Sequence, residues 1–153
     1  MINADIQLAS DCTDTPNESD IILWVESSLK AVNITDDKDI SVRIIDEDES
    51  RQLNRQYRNI DKSTNVLSFP CDLPEEVDIP LLGDLAICSP VVAREAKEQG
   101  KALESHWAHM VVHGTLHLLG FDHIEDSEAE HMESIETSIL TSLGYAAPYE
   151  QTS

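Results

Sequence analysis

Residues 113–123 read His113-Gly114-Thr115-Leu116-His117-Leu118-Leu119-Gly120-Phe121-Asp122-His123, and the rest of the chain makes most sense as a scaffold for them. The preceding stretch, from Ala102 to Leu119, has helical periodicity, with Leu103, Trp107, Met110, Val111, Leu118 and Leu119 on one side and its shoulders. Side chains four apart on a helix lie one above the other, so His113 and His117 can share one ion. Gly120 can take the left-handed conformation that ends a helix, and the turn brings His123 toward the same point. Three imidazoles with a fourth position open are the donor set of a catalytic zinc site. His109 continues the stripe, but its eight-residue separation from His117 is a rise of roughly 12 Å. One ion cannot bind both, so His109 is expected in the core or in a neighbouring hydrogen bond. His106 and His131 are expected at the surface.

Metalloproteases carry a related pattern, His-Glu-x-x-His-x-x-Gly-x-x-His. This chain has the three histidines and the glycine, but Gly114 stands where the protease has its general-base Glu. A peptidase built on this helix would lack its central proton acceptor. Asp122 lies in the turn and is better suited to orient a histidine through its other ring nitrogen.

The 153 residues suit one domain with a real core. With no apolar stretch near the roughly 20 residues of a membrane span and no basic, then apolar, leader, the expectation is a soluble, cytoplasmic protein that uses no membrane. Three widely spaced cysteines, Cys12, Cys71 and Cys88, suggest reduced thiols, not a disulfide frame. A formal charge of −20 argues against casual nucleic-acid binding and against a DNA partner. The few basic residues are grouped: Arg51, Arg55, Arg58 and Lys62 in one cluster, Arg94, Lys97 and Lys101 in another. The second group is best taken as a solvated helix face.

Taken in order, Ile2–Leu8 alternates as a half-buried strand, and Ser19–Ala31 is an amphipathic helix. Ile40–Ile45 is a strand, and Asp46 or Asp48 can cap a helix from Glu49 to about Tyr57. On that helix Arg51, Arg55 and Arg58 share one face, while Leu53 and Tyr57 face inward. Asn65–Phe69 is a short strand ended by Pro70, and Cys71–Pro80 is an acidic, mobile loop. Leu82–Cys88 is a strand broken at Gly83-Asp84. Ser89 and Pro90 fit the N-cap and first position of a helix that ends near Gly100. Ser127–Glu130 is a capping box opening a last helix that ends before Gly144. Residues 145–153 have little reason to order. The sum is a single α+β domain with a small mixed sheet of about four strands, about five helices and a zincin-like metal site.

Arg58, Asp61, Thr64, Asn65-Val66-Leu67-Ser68-Phe69-Pro70, Gly83-Asp84 and the histidine segment through His123 together resemble the bacterial YbeY rRNA maturation factors. The resemblance runs from about Tyr57 to His123, fits the chain's full length in size, and lacks no motif position. It implies a zinc-dependent, single-strand-specific endoribonuclease of the cytoplasm that acts in 3′-end maturation of small-subunit rRNA and in ribosome quality control. The family's zinc ligands carry over to His113, His117 and His123, and its functionally important arginine to Arg58.

The residues themselves agree with that chemistry. Arg58 offers a planar fork to a phosphate, with Arg55 and the Ser68 hydroxyl as further substrate contacts. Gly114 offers no base, so the proton acceptor must come from the ion or the RNA; it also leaves room for a bulky phosphodiester. Three histidines accept nickel or another divalent ion as well as zinc. The charge of −20 suggests docking on the small ribosomal subunit through a ribosomal protein. Two alternatives stand beside the nuclease: a metal-dependent hydrolase of peptides or other esters, which drops Arg58, and a zinc-stabilised ribosome assembly factor without turnover.

Overall fold

The computed structural model describes residues 2–11, 15–35, 37–70, 81–121 and 126–145. His123 and Asp122, the loop at 71–80, Cys12 and Cys71, and the tail from residue 146 lie outside these. Among the described residues four strands and five helices form one α+β domain, as the patterning predicts. Three strands run parallel: β1 (Ile2–Ala9), β2 (Lys38–Ile45) and β4 (Leu81–Cys88). β3 (Val66–Pro70) lies antiparallel on β4, giving the order β1-β2-β4-β3 with β3 at an edge.

Side-chain alternation along each strand divides the apolar residues between two faces. Ile40, Val42 and Ile44 of β2 and Leu85 and Ile87 of β4 join the main core. There they meet α1 (Glu18–Ala31), α4 (Leu103–Leu118) and α5 (Asp126–Ser142). Ile45, Leu67, Ala86 and Cys88 face the other way, into a smaller cluster with Val91 and Leu53. α2 (Glu47–Arg58) lies on that side, and α3 (Ser89–Glu98) sends Val91 to the smaller cluster and Val92 to the main core. α4 is the central helix, and eleven of its sixteen residues are buried. A helix wrapped on most sides is apolar most of the way round. His106 is therefore buried at 2% exposure, not at the surface as its sequence suggested. His131 is exposed, as expected.

Gly114 has a different use from the one its neighbours suggest. A Cβ built there would lie 2.8 Å from Leu85 Cδ2 and 3.2 Å from Val66 Cγ2. The missing side chain lets α4 press onto β3 and β4; it does not clear a path to the histidines. Gly114→Ala is therefore expected to destabilise. Overpacking costs roughly 1–3 kcal/mol and the helical gain of Ala over Gly returns about 1. Thermal unfolding should show a Tm lowered by a few degrees; a raised Tm would contradict this account.

Other boundaries move by a residue or two. α1 starts at Glu18, not Ser19, behind its cap Asn17, whose Oδ1 accepts from the Asp20 backbone N–H at 2.9 Å. α2 starts at Glu47 behind Asp46. Ser89 is the first helical residue of α3, behind Cys88, and Ser127 lies one residue inside α5. β4 is not broken at Gly83-Asp84: the pairing with β2 shifts register between Asp39 and Ile40 and the strand continues. Gly83, at φ 142°, lies where a Cβ would be 2.3 Å from the Phe69 carbonyl oxygen. Tyr57 does not face inward; it is 60% exposed. α2 turns its buried Ser50 and Asn54 to the domain and ends at Asn59, in the left-handed conformation at φ 58°.

Candidate functional site

Two segments meet at the open edge of the sheet. The first is the end of α4. Its carbonyls are closed by a turn in which Gly120 N–H donates to His117 O at 3.0 Å and Phe121 N–H to Leu116 O at 3.1 Å. Gly120 takes φ 98° there, the left-handed exit that its position predicts. The second is the run from α2 into β3. Ser50 Oγ donates to Thr64 O at 3.0 Å and accepts from Thr64 N–H at 3.0 Å, while Asn54 Nδ2 donates to Lys62 O at 2.9 Å. These buried polar contacts clasp residues 62–64 against α2 and bring the helix end, with Arg58, over the start of β3.

Between the two segments lies a cavity of about 490 Å³ whose lining includes Arg58, Thr64, Asn65, Ser68, His113 and His117. Arg58, Ser68, His113 and His117 thus line one cavity. Arg55 is not among the lining residues. Ser68 Oγ donates to Gly114 O at 3.1 Å, so the hydroxyl keeps acceptor capacity only.

His113 Nε2 and His117 Nε2 stand 3.1 Å apart. That is close to the roughly 3.3 Å edge of a tetrahedron with metal–nitrogen bonds of about 2.0–2.1 Å. Behind them stands Glu136 of α5, whose side chain is fully buried. Its Oε1 is hydrogen-bonded to His113 Nδ1, and its Oε2 lies 3.4 Å from His109 Nε2. A carboxylate accepts, so the His113 proton belongs on Nδ1 and the Nε2 lone pair points to the cavity. His109, Glu136 and His113 also form a buried group, all ligand atoms within 4.8 Å of one another, that could bind a metal. His109 has the core and hydrogen-bonding environment its spacing predicts.

Glu136 is the residue that sequence reasoning missed. It had a signal: it lies four residues after Met132 and three before Ile139, on the buried stripe of α5. An acid on an apolar stripe needs a partner. A second carboxylate, Glu95 of α3, lies 3.0 Å from His106 Nε2 and accepts from Asn65 Nδ2 at 3.1 Å. Asn65 Oδ1 accepts from Val66 N–H at 2.7 Å, so this amide is fixed on both sides at the rim of the cavity. Burial pushes the His106 imidazole below its ordinary pKa, against the pull of Glu95.

Charge is spent elsewhere in the cluster of basic residues. Arg51 forms a two-point pair with Asp61, at 2.7 and 3.0 Å, and these hydrogen bonds hold the Asp61 carboxyl below its usual pKa range. Arg43 pairs with Glu49 at 2.6 Å, and Arg94 with Glu47 at 3.1 Å, which fits the solvated-face expectation for Arg94. Among the described residues Arg58 has no carboxylate partner.

Fold and site together define a class: a small α+β domain with a candidate metal centre opening beside a guanidinium at the edge of a mixed sheet. The profile described as Endoribonuclease YbeY matches residues 5–144. Endoribonuclease YbeY of Cellvibrio japonicus is 54% identical over 149 residues, covering 97% of this chain and 84% of that protein. Endoribonuclease YbeY of Pseudomonas entomophila is 54% identical over 150 residues, covering 97% and 94%. The solution structure of TM1509 from Thermotoga maritima superposes with a TM-score of 0.55 at 25% identity, covering 99% of this chain and 100% of that one. The chain belongs to the YbeY endoribonuclease family. No helix among the described residues is long and apolar enough to cross a membrane.

Proposed function

We propose that the protein is a zinc-dependent endoribonuclease specific for single-stranded RNA, acting in the cytoplasm on the 3′ end of small-subunit rRNA and in ribosome quality control. The observation that carries the chemistry is the shared cavity: two imidazole nitrogens 3.1 Å apart and, in a chain of charge −20, an Arg58 without a carboxylate partner among the described residues. An arginine without a carboxylate partner among the described residues is suited to an anion, and its fork matches a phosphate.

His113 and His117 would hold the ion, with His123 as the third ligand and Asp122 orienting one of the three histidines. When bound, zinc polarises a phosphoryl oxygen and lowers the pKa of water. The chain's own groups do the rest. Glu136 holds the proton on His113 Nδ1 and so keeps the Nε2 lone pair in the cavity. Arg58 binds the phosphate and neutralises charge as it grows. Ser68 can accept from a sugar hydroxyl, and Arg55 attracts the strand at longer range. The His109–His113–Glu136 group is the weaker place for the ion, because metal there would displace the hydrogen bond to His113 Nδ1 and sit out of reach of substrate. Nickel or another divalent ion fits the same nitrogens.

Glu136→Gln keeps the shape and removes the carboxylate charge. Zinc affinity, measured by competition with a chromogenic chelator, should fall about 10- to 100-fold. Unchanged affinity would remove Glu136 from the metal's support. Complete loss of binding would make it a ligand.

Net charge makes weak, strongly salt-dependent binding to naked RNA the expectation, so docking on the small subunit through a ribosomal protein supplies substrate choice. The function is tested by incubating purified protein with labelled single-stranded ribosomal RNA and, separately, with casein, with and without a chelator. Chelator-sensitive cutting of RNA alone is expected. Casein cutting would favour a peptidase, and cutting of neither would favour an assembly factor.

A further inference from the structure

Resting on the nuclease reading, we propose that Tyr57 and Phe69 form a stacking platform for one unpaired RNA base next to the phosphate held at Arg58. Tyr57 is 60% exposed, an unusual position for an aromatic ring on so polar a helix. Its ring and that of Phe69 meet in an edge-to-face arrangement at a centroid distance of 5.0 Å and an angle of 64°. The exposure leaves ring surface of Tyr57 open to a further partner, and the contact with Phe69 fixes its orientation. The two rings border a groove of about 430 Å³ with Leu53, Arg43 and Asp84.

The groove and the histidine cavity are separated by a single strand. β3 is the sheet's edge, and neighbouring residues of a strand point to opposite faces. Ser68 lines the histidine cavity and Phe69 the aromatic groove. Arg58 and Tyr57, adjacent at the end of α2, divide in the same way. A polynucleotide crossing the edge strand β3 therefore has its phosphate on one side and a base on the other. The groove's charge selects the base over a second phosphate. Arg43 is already held by Glu49 through two hydrogen bonds, at 2.6 and 3.0 Å, and Asp84 adds an exposed carboxylate. A neutral ring with amino donors suits that lining. Only an unpaired base can leave its neighbours to stack on a side chain, so the platform also selects single strands.

The test compares wild type, Tyr57→Phe and Tyr57→Leu. Leucine preserves apolar cover over Phe69 but offers no ring; phenylalanine keeps the ring. Binding of a short fluorescent single-stranded RNA is followed by anisotropy without metal, and cleavage of the same RNA is followed with zinc. Tyr57→Phe should bind as wild type does. Tyr57→Leu should bind about 5- to 50-fold more weakly, with the cleavage loss in KM more than in kcat. An abasic nucleotide at one position beside the scissile bond should weaken wild type equally and add nothing in Tyr57→Leu. Wild-type affinity in Tyr57→Leu, or additive losses from the two changes at every position, would overturn the platform. If wild type binds but does not cleave, the nuclease reading fails while anisotropy still decides the platform.

Discussion

Replacing Arg58 by Ala is expected to lower kcat/KM for RNA by about 10²- to 10³-fold, the effect typical of removing one donor aimed at growing transition-state charge. Arg58 stands at the end of α2 without a carboxylate partner among the described residues. Its loss therefore breaks no ion pair, and stability should change by no more than about 0.5 kcal/mol. Arg58→Lys restores charge but not the two-point fork, so partial recovery is expected. Steady-state cleavage and thermal unfolding on the same preparations separate the outcomes. An Arg58→Ala protein that cuts RNA at the wild-type rate would leave the phosphate without its anchor and return the peptidase to consideration.

His117→Ala should remove the ion and the activity together. His117 Nε2 shares its position with His113 Nε2, 3.1 Å away, and a two-histidine remnant binds zinc far more weakly than three. Metal analysis should give about one zinc per wild-type chain and almost none in the variant. Added zinc at about 1,000 times the wild-type Kd stabilises a folded site by about 4 kcal/mol. Wild type should therefore show a clear rise in Tm with zinc and His117→Ala should not. A full complement of zinc in His117→Ala would move the ion to the buried His109–His113–Glu136 group.

What the chain discloses by itself depends on the distance over which each contact acts. His113 and His117 are legible because helical spacing fixes their relation without any tertiary information. The Gly120 turn is legible for the same reason. Arg58 and Ser68 converge through the clasp of Ser50 and Asn54 on residues 62–64, which no periodicity reveals; family resemblance alone linked them. Glu136 pairs with a histidine 23 residues away and is hidden among many acids until its place on a buried stripe is noticed. The burial of His106 is not legible in α4 itself, because its cover and its partner Glu95 come from α3. The exposure of Tyr57 is not legible in apolar periodicity, because the inward stripe of α2 is polar, Ser50 and Asn54, and runs out before the helix ends. Nothing local marks Gly114 as a packing position, because the Leu85 and Val66 that would meet a side chain there belong to strands far off in sequence.

The central claim is that the imidazoles of His113 and His117 hold one ion in the cavity that Arg58 lines. The most direct measurement is an anomalous-difference map from a crystal of the zinc-loaded protein. The account predicts a single peak about 2.0–2.1 Å from both Nε2 atoms, on the Arg58 side of the histidines. A peak bonded to Glu136 and His109, or zinc bound only at the protein surface, would contradict it.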